Sequence, residues 1–418
     1  MMISKTLFSF QNIFVFILIF YTFLFSNISK IILGNLIGLN LVYSFLPLFF
    51  IIIFYLVNFK KNSKLILFLA LFLQAMLSIN QIGSQIVFSN LMIFIISFLI
   101  PSLLVGIKLK DPQETILRVI TIYNWIIFAN VIYGILDLIT QKKLQLFLAQ
   151  LLNSTHYANS IGNDLGNGVY RLFSPLGHPL TNTLLILFFI VLNISYIRYF
   201  NEKTNFKLSN IYLITIIGAL LCNSKTGLII ILVILISVFI TNKKRLKFFI
   251  IMILSGIIVF STDFFKDNIV KRFVNAAESG DISNGRLTAI KSLMESPYSQ
   301  PDFFIGGGFG SSNYLIQSIS HLNNIEVPLI MFLYDYGILN TFIIYLIIFI
   351  LPVSIFIIKK HFYLSFLYTM VFIFANTYNG LATGIGIYQM MCFLLMLLLN
   401  LSDSVKKMGD QVSNEGVR

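Results

Sequence analysis

Long apolar runs that never alternate with polar residues recur along this chain, and they limit its fold more than any other feature. Ile229 to Ile236 reads IIILVILI. A helical run of about 20 such residues matches the hydrocarbon core of a bilayer. The other architecture that spans a membrane, a closed barrel, needs strands in which apolar and polar residues alternate, and these runs do not alternate. Charged residues make up 11% of the chain, against roughly 25% in soluble domains. The expected fold is all-α: a polytopic membrane protein with about twelve transmembrane helices.

The runs place spans near Leu7–Phe25, Leu39–Phe59, Leu65–Ile79, Ile86–Ile107, Thr115–Ile139, Pro179–Tyr199, Ile211–Cys222, Gly227–Ile240, Phe248–Ser261, Glu326–Ile358, His361–Tyr378 and Leu381–Leu399. Leu7–Phe25 has no small-residue cleavage site and reads as an uncleaved span rather than a removed signal. Residues 1–402 form a single integral-membrane domain, and the polar tail 403–418 is expected to be disordered and cytoplasmic.

Lysine and arginine orient the spans. Lys60, Lys61, Lys64, Lys108, Lys110, Arg198, Lys203, Lys207, Lys243, Lys244, Arg245, Lys247, Lys359, Lys360, Lys406 and Lys407 fall on one set of connections. The short connections on the other side hold only Lys30 and Lys225. Positive residues stay inside, so both termini are expected in the cytoplasm and two long intervals, 140–178 and 262–325, outside it. The net charge of +13 is then explained by orientation and contact with anionic membrane lipids, not by nucleic acid. Cys222 and Cys392 lie in apolar runs and offer neither a disulfide framework nor metal spacing; no metal or other cofactor is expected.

The outer intervals carry short apolar faces. Leu144, Phe147, Leu148 and Leu151 share one helical face, as do Leu287, Ile290 and Met294, which suits short helices lying in the membrane interface. The stretch HYANSIGNDLGNGVYRLFSPLGHP that follows the first face reads as an Asn- and Gly-rich loop.

Charge, glycine and titratable groups gather from Ser283 to Asn340. This stretch holds Arg286, the run GGGFG with Gly306, Gly307, Gly308 and Gly310, then His321, Glu326 and Asp335. Arg171 before the turn SPLGHP and Lys225 in SKTG sit at other outer entries. Three cations on one face either converge on an anionic group such as a diphosphate or each meet lipid head groups; Lys266, Lys271 and Arg272 read as the latter. GGGFG lacks the strand–helix context of a nucleotide loop and reads as a turn. His178, before Pro179, reads as a cap. Glu326 is either a general base or a cap of the next helix. Asp335, inside a span, is either paired to a cation or functional.

Four of these segments resemble the O-antigen polymerase and O-antigen ligase superfamily of bacterial cell-envelope membrane proteins. RLFSPLGHPLTN looks like that family's entry to a mid-chain span, and SKTG like its SRTG hairpin with Lys225 for arginine. NGRLTAIKSLMESPYSQPDFFIGGGFG looks like its large outer loop, and EVPLIMFLYDYGILN like the helix after it. The family's ligases carry a His–Asn pair eleven residues before the glycine of that helix; here the count back from Gly337 lands on Glu326, and Asn340 replaces the closing glycine. These departures favour the polymerase branch.

The resemblance implies a glycosyltransferase-C-like fold in the bacterial cytoplasmic membrane. It implies metal-independent, inverting transfer between undecaprenyl-diphosphate-linked repeat units, a donor and an acceptor, in making an O-antigen or capsular polysaccharide. A flippase and a chain-length regulator are the implied protein partners. Arg286, Lys225 and Arg171 would hold the diphosphate, and Glu326 or His321 would take the acceptor's proton. The rival readings are a ligase that moves glycan to another acceptor and a transporter of lipid-linked sugars. A transporter predicts charges within spans and repeat symmetry between halves, whereas charge here gathers in the outer intervals.

Overall fold

The computed structural model describes residues 51–52, 94–151, 155–166, 168–240, 270, 274, 278, 286–295, 301–308, 310–319, 325–382 and 386–415. The spans expected at Leu7–Phe25, Leu65–Ile79 and Phe248–Ser261, nearly all of Leu39–Phe59, and His321 lie outside the described residues.

Among the described residues the structure is helical, with two isolated bridges, Ser174–Gly177 and Asp302–Gly306, and no strand. In chain order the helices are α1 (Ile95–Gly106), α2 (Pro112–Ile139), α3 (Lys143–Leu151), α4 (Thr155–Gly166), α5 (Pro179–Phe200), α6 (Leu208–Cys222), α7 (Lys225–Ile240), α8 (Arg286–Met294), α9 (Ser311–Ser318), α10 (Pro328–Ile358), α11 (Phe362–Ala375) and α12 (Ile387–Glu415). Four of these, α2, α5, α10 and the Ile387–Ser404 part of α12, are long and apolar enough to cross a membrane. α1, α6, α11 and most of α7 are shorter apolar helices.

Helix boundaries follow local chemistry. α2, α5 and α10 each open on a proline, a residue without the N–H that a first turn leaves unbonded. α6 ends at Asn223, which takes the left-handed conformation (φ 51°, ψ 46°) while its N–H donates to the Ala219 carbonyl at 3.1 Å; asparagine tolerates that conformation better than most residues. One residue later the Ser224 hydroxyl accepts the Gly227 N–H at 3.2 Å and caps α7. SKTG is therefore a helix stop and start in four residues.

The chain divides into two compact units. Met1–Ile122, Leu192–Thr204 and Arg286–Arg418 form the first, and Tyr123–Val191 with Asn205–Gly285 the second. In the first unit Phe98 of α1 is the centre of an aromatic cluster. Its ring centroid lies 5.3 Å from Phe332, 5.1 Å from Tyr388 and 5.8 Å from Tyr336, each at a steep angle, the edge-to-face arrangement that the ring quadrupole favours. Asn400 of α12 straps the end of α1: its amide donates to the Ile107 carbonyl and accepts the Leu109 N–H, both at 2.8 Å. In the second unit close packing uses small residues. A Cβ on Gly134 would meet Leu221 and Leu172, one on Gly218 would meet Ile186 and Val131, and one on Gly227 would collide with Thr183.

Two features differ from the sequence expectation. Thr155–Gly166 is helical, although its Asn and Gly content predicts a loop; Ile161 packs with Ala149 and Phe173 and supplies the anchor, a tertiary contact outweighing weak propensity. α12 continues to Glu415 through the polar tail; adding residues to a formed helix costs far less than starting one. α3 buries Gln145, Leu148 and Ala149 and leaves Phe147 and Leu151 of its apolar face exposed. α8 likewise buries Ala289 and Leu293 and exposes Leu287 and Met294.

Candidate functional site

The first unit builds its site around a broken helix. α10 is interrupted at Gly337, whose φ of 69° and ψ of 178° are not helical. A break leaves backbone groups without partners, and these are costly when buried. The glycine run supplies them. The Gly307 N–H donates to the Tyr334 carbonyl at 2.9 Å, the Gly308 N–H to the Asp335 carbonyl at 2.7 Å, and the Ile338 N–H to the Phe303 carbonyl at 2.9 Å. The contact is so close that a Cβ on Gly306 would collide with the backbone of Tyr336 and Gly337, and one on Gly337 with Phe304 and Ile305. Both glycines also have positive φ, open to glycine at little cost. GGGFG is thus not a free turn: residues 306–308 are docked into the helix interior.

Asp335 completes the joint. Its buried carboxylate accepts the Ser312 N–H at 2.7 Å, at the first turn of α9, where an anion meets the positive end of the helix. The cation partner weighed for this residue is not there: among the described residues Asp335 joins no ion pair. The loop turns on Asp302, which accepts the N–H groups of Phe304 and Ile305 at 2.8 and 2.9 Å. The Phe303 and Phe304 rings remain exposed, edge to face at 5.5 Å.

Arg286 and Glu326 meet. The guanidinium donates to Glu326 Oε2 through Nη2 at 2.8 Å and through Nε at 3.2 Å. Their side chains are 24% and 40% exposed, so the pair is reachable from solvent. Arg286 is the first residue of α8. Glu326 does not cap α10: the N-cap is Val327, and no side chain bonds the first turn. Both bonds are on Oε2; among the described residues no donor to Glu326 Oε1 is seen.

The second unit brings Arg171 beside the hairpin that carries Lys225. The extended stretch Val169–Leu172 is held residue by residue. Lys142 Nζ donates to the Val169 carbonyl at 2.6 Å, Asn223 to that of Tyr170 at 3.1 Å, and Gln145 to that of Arg171 at 3.0 Å. The Leu172 N–H donates to the Leu221 carbonyl at 3.0 Å, and Asn182 donates to the Leu172 carbonyl at 3.0 Å. Asn182 also donates to the Gly177 carbonyl at 2.9 Å, closing the SPLGHP turn. His178 acts there as the expected cap, its Nδ1 accepting the Leu180 N–H at 3.3 Å.

Behind this stretch lies a buried carboxylate. Asp137 accepts the Gln145 N–H at 2.9 Å and its side-chain amide at 2.6 Å, and the Tyr170 hydroxyl sits 3.0 Å from it. Burial lowers the pKa of Lys142; the carboxylates of Asp164 and Asp137 oppose that shift, and Arg171 adds to it. Arg171 is half-buried, and among the described residues its Nε is a buried donor with no hydrogen-bond partner. Lys225 is half-buried at the first position of α7, whose first turn holds no acidic residue. Lys225 stands at a helix N-terminus, a place of positive potential, while Lys142 and Arg171 share their surroundings with the carboxylates of Asp137 and Asp164. Sequence reading missed Asp137, Lys142, Gln145, Asn182 and Asn223. The signal available was polar residues such as Asp137 and Asn182 standing inside apolar runs.

Among the described residues no group of three or more His, Cys, Asp or Glu side chains gathers as a metal site would require. No protein-family model matches the chain, and comparisons with curated proteins and with solved structures find no significant match.

Proposed function

We propose that this chain is a polysaccharide polymerase of the O-antigen or capsular type, an inverting membrane glycosyltransferase with about twelve spans. It joins undecaprenyl-diphosphate-linked repeat units on the outer face of the bacterial cytoplasmic membrane, with both termini in the cytoplasm and interfacial helices in the outer intervals. The observation that carries the reading is the Arg286–Glu326 contact at 2.8 Å. A cation and a carboxylate nominated separately as phosphate-binding group and base, forty positions apart, are held together and open to solvent.

The step balances without an added reagent. The acceptor's hydroxyl oxygen attacks the anomeric carbon of the donor from the face opposite the diphosphate. The new C–O bond forms as the bond to the diphosphate oxygen breaks, and the leaving group takes the electron pair. The acceptor's proton passes to Glu326 Oε1, the oxygen that Arg286 does not engage. General base assistance of this kind contributes about 10²- to 10⁴-fold. Arg286, Arg171 and Lys225 are each candidates for contact with phosphate oxygens; fixed donors need no reorganisation as charge develops.

Deleting the gene and sizing the surface glycan tests the reading. Glycan of single repeat units supports a polymerase. Full-length lipid-linked glycan that never reaches its final acceptor assigns the same chemistry to a ligase. Glycan of normal length and attachment rejects both.

A further inference from the structure

A second cationic site lies in the first unit, away from Arg286 and Glu326 in the chain. A cavity of about 570 Å³ is lined by Arg198 and Tyr199 from the end of α5 and by Lys360, His361, Tyr363 and Phe366 from the α10–α11 connection. No carboxylate lines it. The nearby Asp403 is engaged by Lys359. The Arg198 guanidinium lies over the Tyr363 ring, 4.0 Å from its centroid, a contact that fixes the plane of the cation. Tyr199 meets the His361 ring edge-on at 5.1 Å. His361 Nε2 lies 3.3 Å from the Ser402 carbonyl, an acceptor, so that nitrogen carries the proton.

Lys360 is the telling residue. It sits just past the end of α10 with φ 60°. Its N–H donates to the Ile357 carbonyl at 2.9 Å, and that of His361 to the Phe356 carbonyl at 2.8 Å. This is the helix-ending motif in which glycine is preferred, because a side chain is strained there. A lysine in that place exposes its ammonium at the cavity and joins no ion pair among the described residues. The cavity also adjoins exposed apolar groups, Ile358 at the end of α10, a helix long enough to cross a membrane, and Phe362 at the start of the shorter apolar helix α11. Cations bordered by exposed apolar side chains at a span terminus suit a ligand with a phosphate head and an apolar tail.

We propose that this cavity binds a phosphate group, held by Arg198 and Lys360, and that its source is the head group of an anionic phospholipid. The site is separate from the glycosyl-transfer reading and stands or falls without it. The test uses the full chain reconstituted in nanodiscs of phosphatidylcholine with and without phosphatidylglycerol, with lipid retention read by native mass spectrometry after release. Lys360→Gly is the informative variant, because glycine suits the backbone there and the thermal midpoint is expected to hold or rise. Arg198→Met is its companion. Each is expected to weaken phosphatidylglycerol retention about fivefold, the factor equivalent to about 1 kcal/mol per basic residue at an anionic surface. A parallel arm measures thermal stabilisation by inorganic phosphate in phosphatidylcholine alone. Retention of phosphatidylglycerol that falls in both variants assigns the lipid source. Stabilisation by inorganic phosphate, lost in both variants and without lipid preference, keeps the phosphate site but gives it a soluble source. Equal retention in wild type and variants with no phosphate effect overturns the proposal.

Discussion

Arg286 and Arg171 were nominated for the same task, and the two units treat them differently. Arg286 spends its Nε and one terminal nitrogen on Glu326. Among the described residues Arg171 keeps a buried Nε without a hydrogen-bond partner, in a segment whose backbone is held from Val169 to Leu172. A buried unmet donor is costly, and a rigid backbone cannot move to relieve it. The comparison separates two arrangements that sequence merges into one: a cation already paired with a carboxylate, and a cation with an unmet donor among the described residues.

The largest effect should come from the paired site. Glu326→Gln keeps size and one acceptor oxygen but cannot take a proton at neutral pH. If the proposed function holds, chain extension by the purified protein should fall about 10²- to 10⁴-fold with protein level unchanged. Arg286→Ala should match it. His321→Ala should reduce extension only partly; a reversal of the Glu326 and His321 results would move the base to His321.

Gly337→Ala comes next and attacks the frame. A Cβ there strikes the backbone of Phe304 and Ile305, and overpacking with strained φ costs about 3 kcal/mol or more. The midpoint of thermal unfolding in detergent should drop by several degrees. Gly310→Ala is the control: its Cβ meets nothing, leaving only the strain of its positive φ. Equal losses in the two variants would mean that the docked loop contributes no more than local strain.

A smaller and differently shaped effect is expected in the second unit. Arg171→Ala should raise KM for the lipid-linked donor about 10- to 100-fold, the worth of hydrogen bonds to a charged group, while stability stays within about 0.5 kcal/mol of wild type. Lys225→Arg should be tolerated and Lys225→Ala should not. If Arg171→Ala instead lowers stability with KM unchanged, the two arginines are not distinct.

The smallest effect concerns pH. The Lys142 pKa is lowered by burial, so the unfolded chain binds the proton more tightly. Stability should therefore rise with pH across the interval from the lowered folded value up to the ordinary lysine value, and fall as pH drops through it. Lys142→Met should flatten that alkaline rise in thermal midpoint. An unchanged slope would show that Lys142 is not the titrating group.

Several helix ends around these residues could be read in advance because their signals are local. SKTG stops one helix and starts another through Asn223 and Ser224. Arg286 opens α8 as the periodicity of its neighbours predicts. Glu326 was chosen by a count from Gly337, and that glycine is where α10 breaks. GGGFG, by contrast, was read as a turn, since nothing in five residues announces a break in a helix about thirty positions later. Asp335 was given a cation or a function; it caps α9, a partner visible only once the loop is docked.

The sequence by itself determined the class of structure: apolar runs without alternation must be helices, and prolines, Asn223 and Ser224 set where several of them begin and end. Those are short-range effects, decided by period, propensity and caps within a few residues. Tertiary structure alone decided that Glu326 turns to Arg286 rather than to α10, that Gly306 and Gly337 bring two backbones into contact, and that Arg171 keeps an unmet donor among the described residues. A carboxylate has several partners of similar worth along a chain, and only packing settles which of them it reaches.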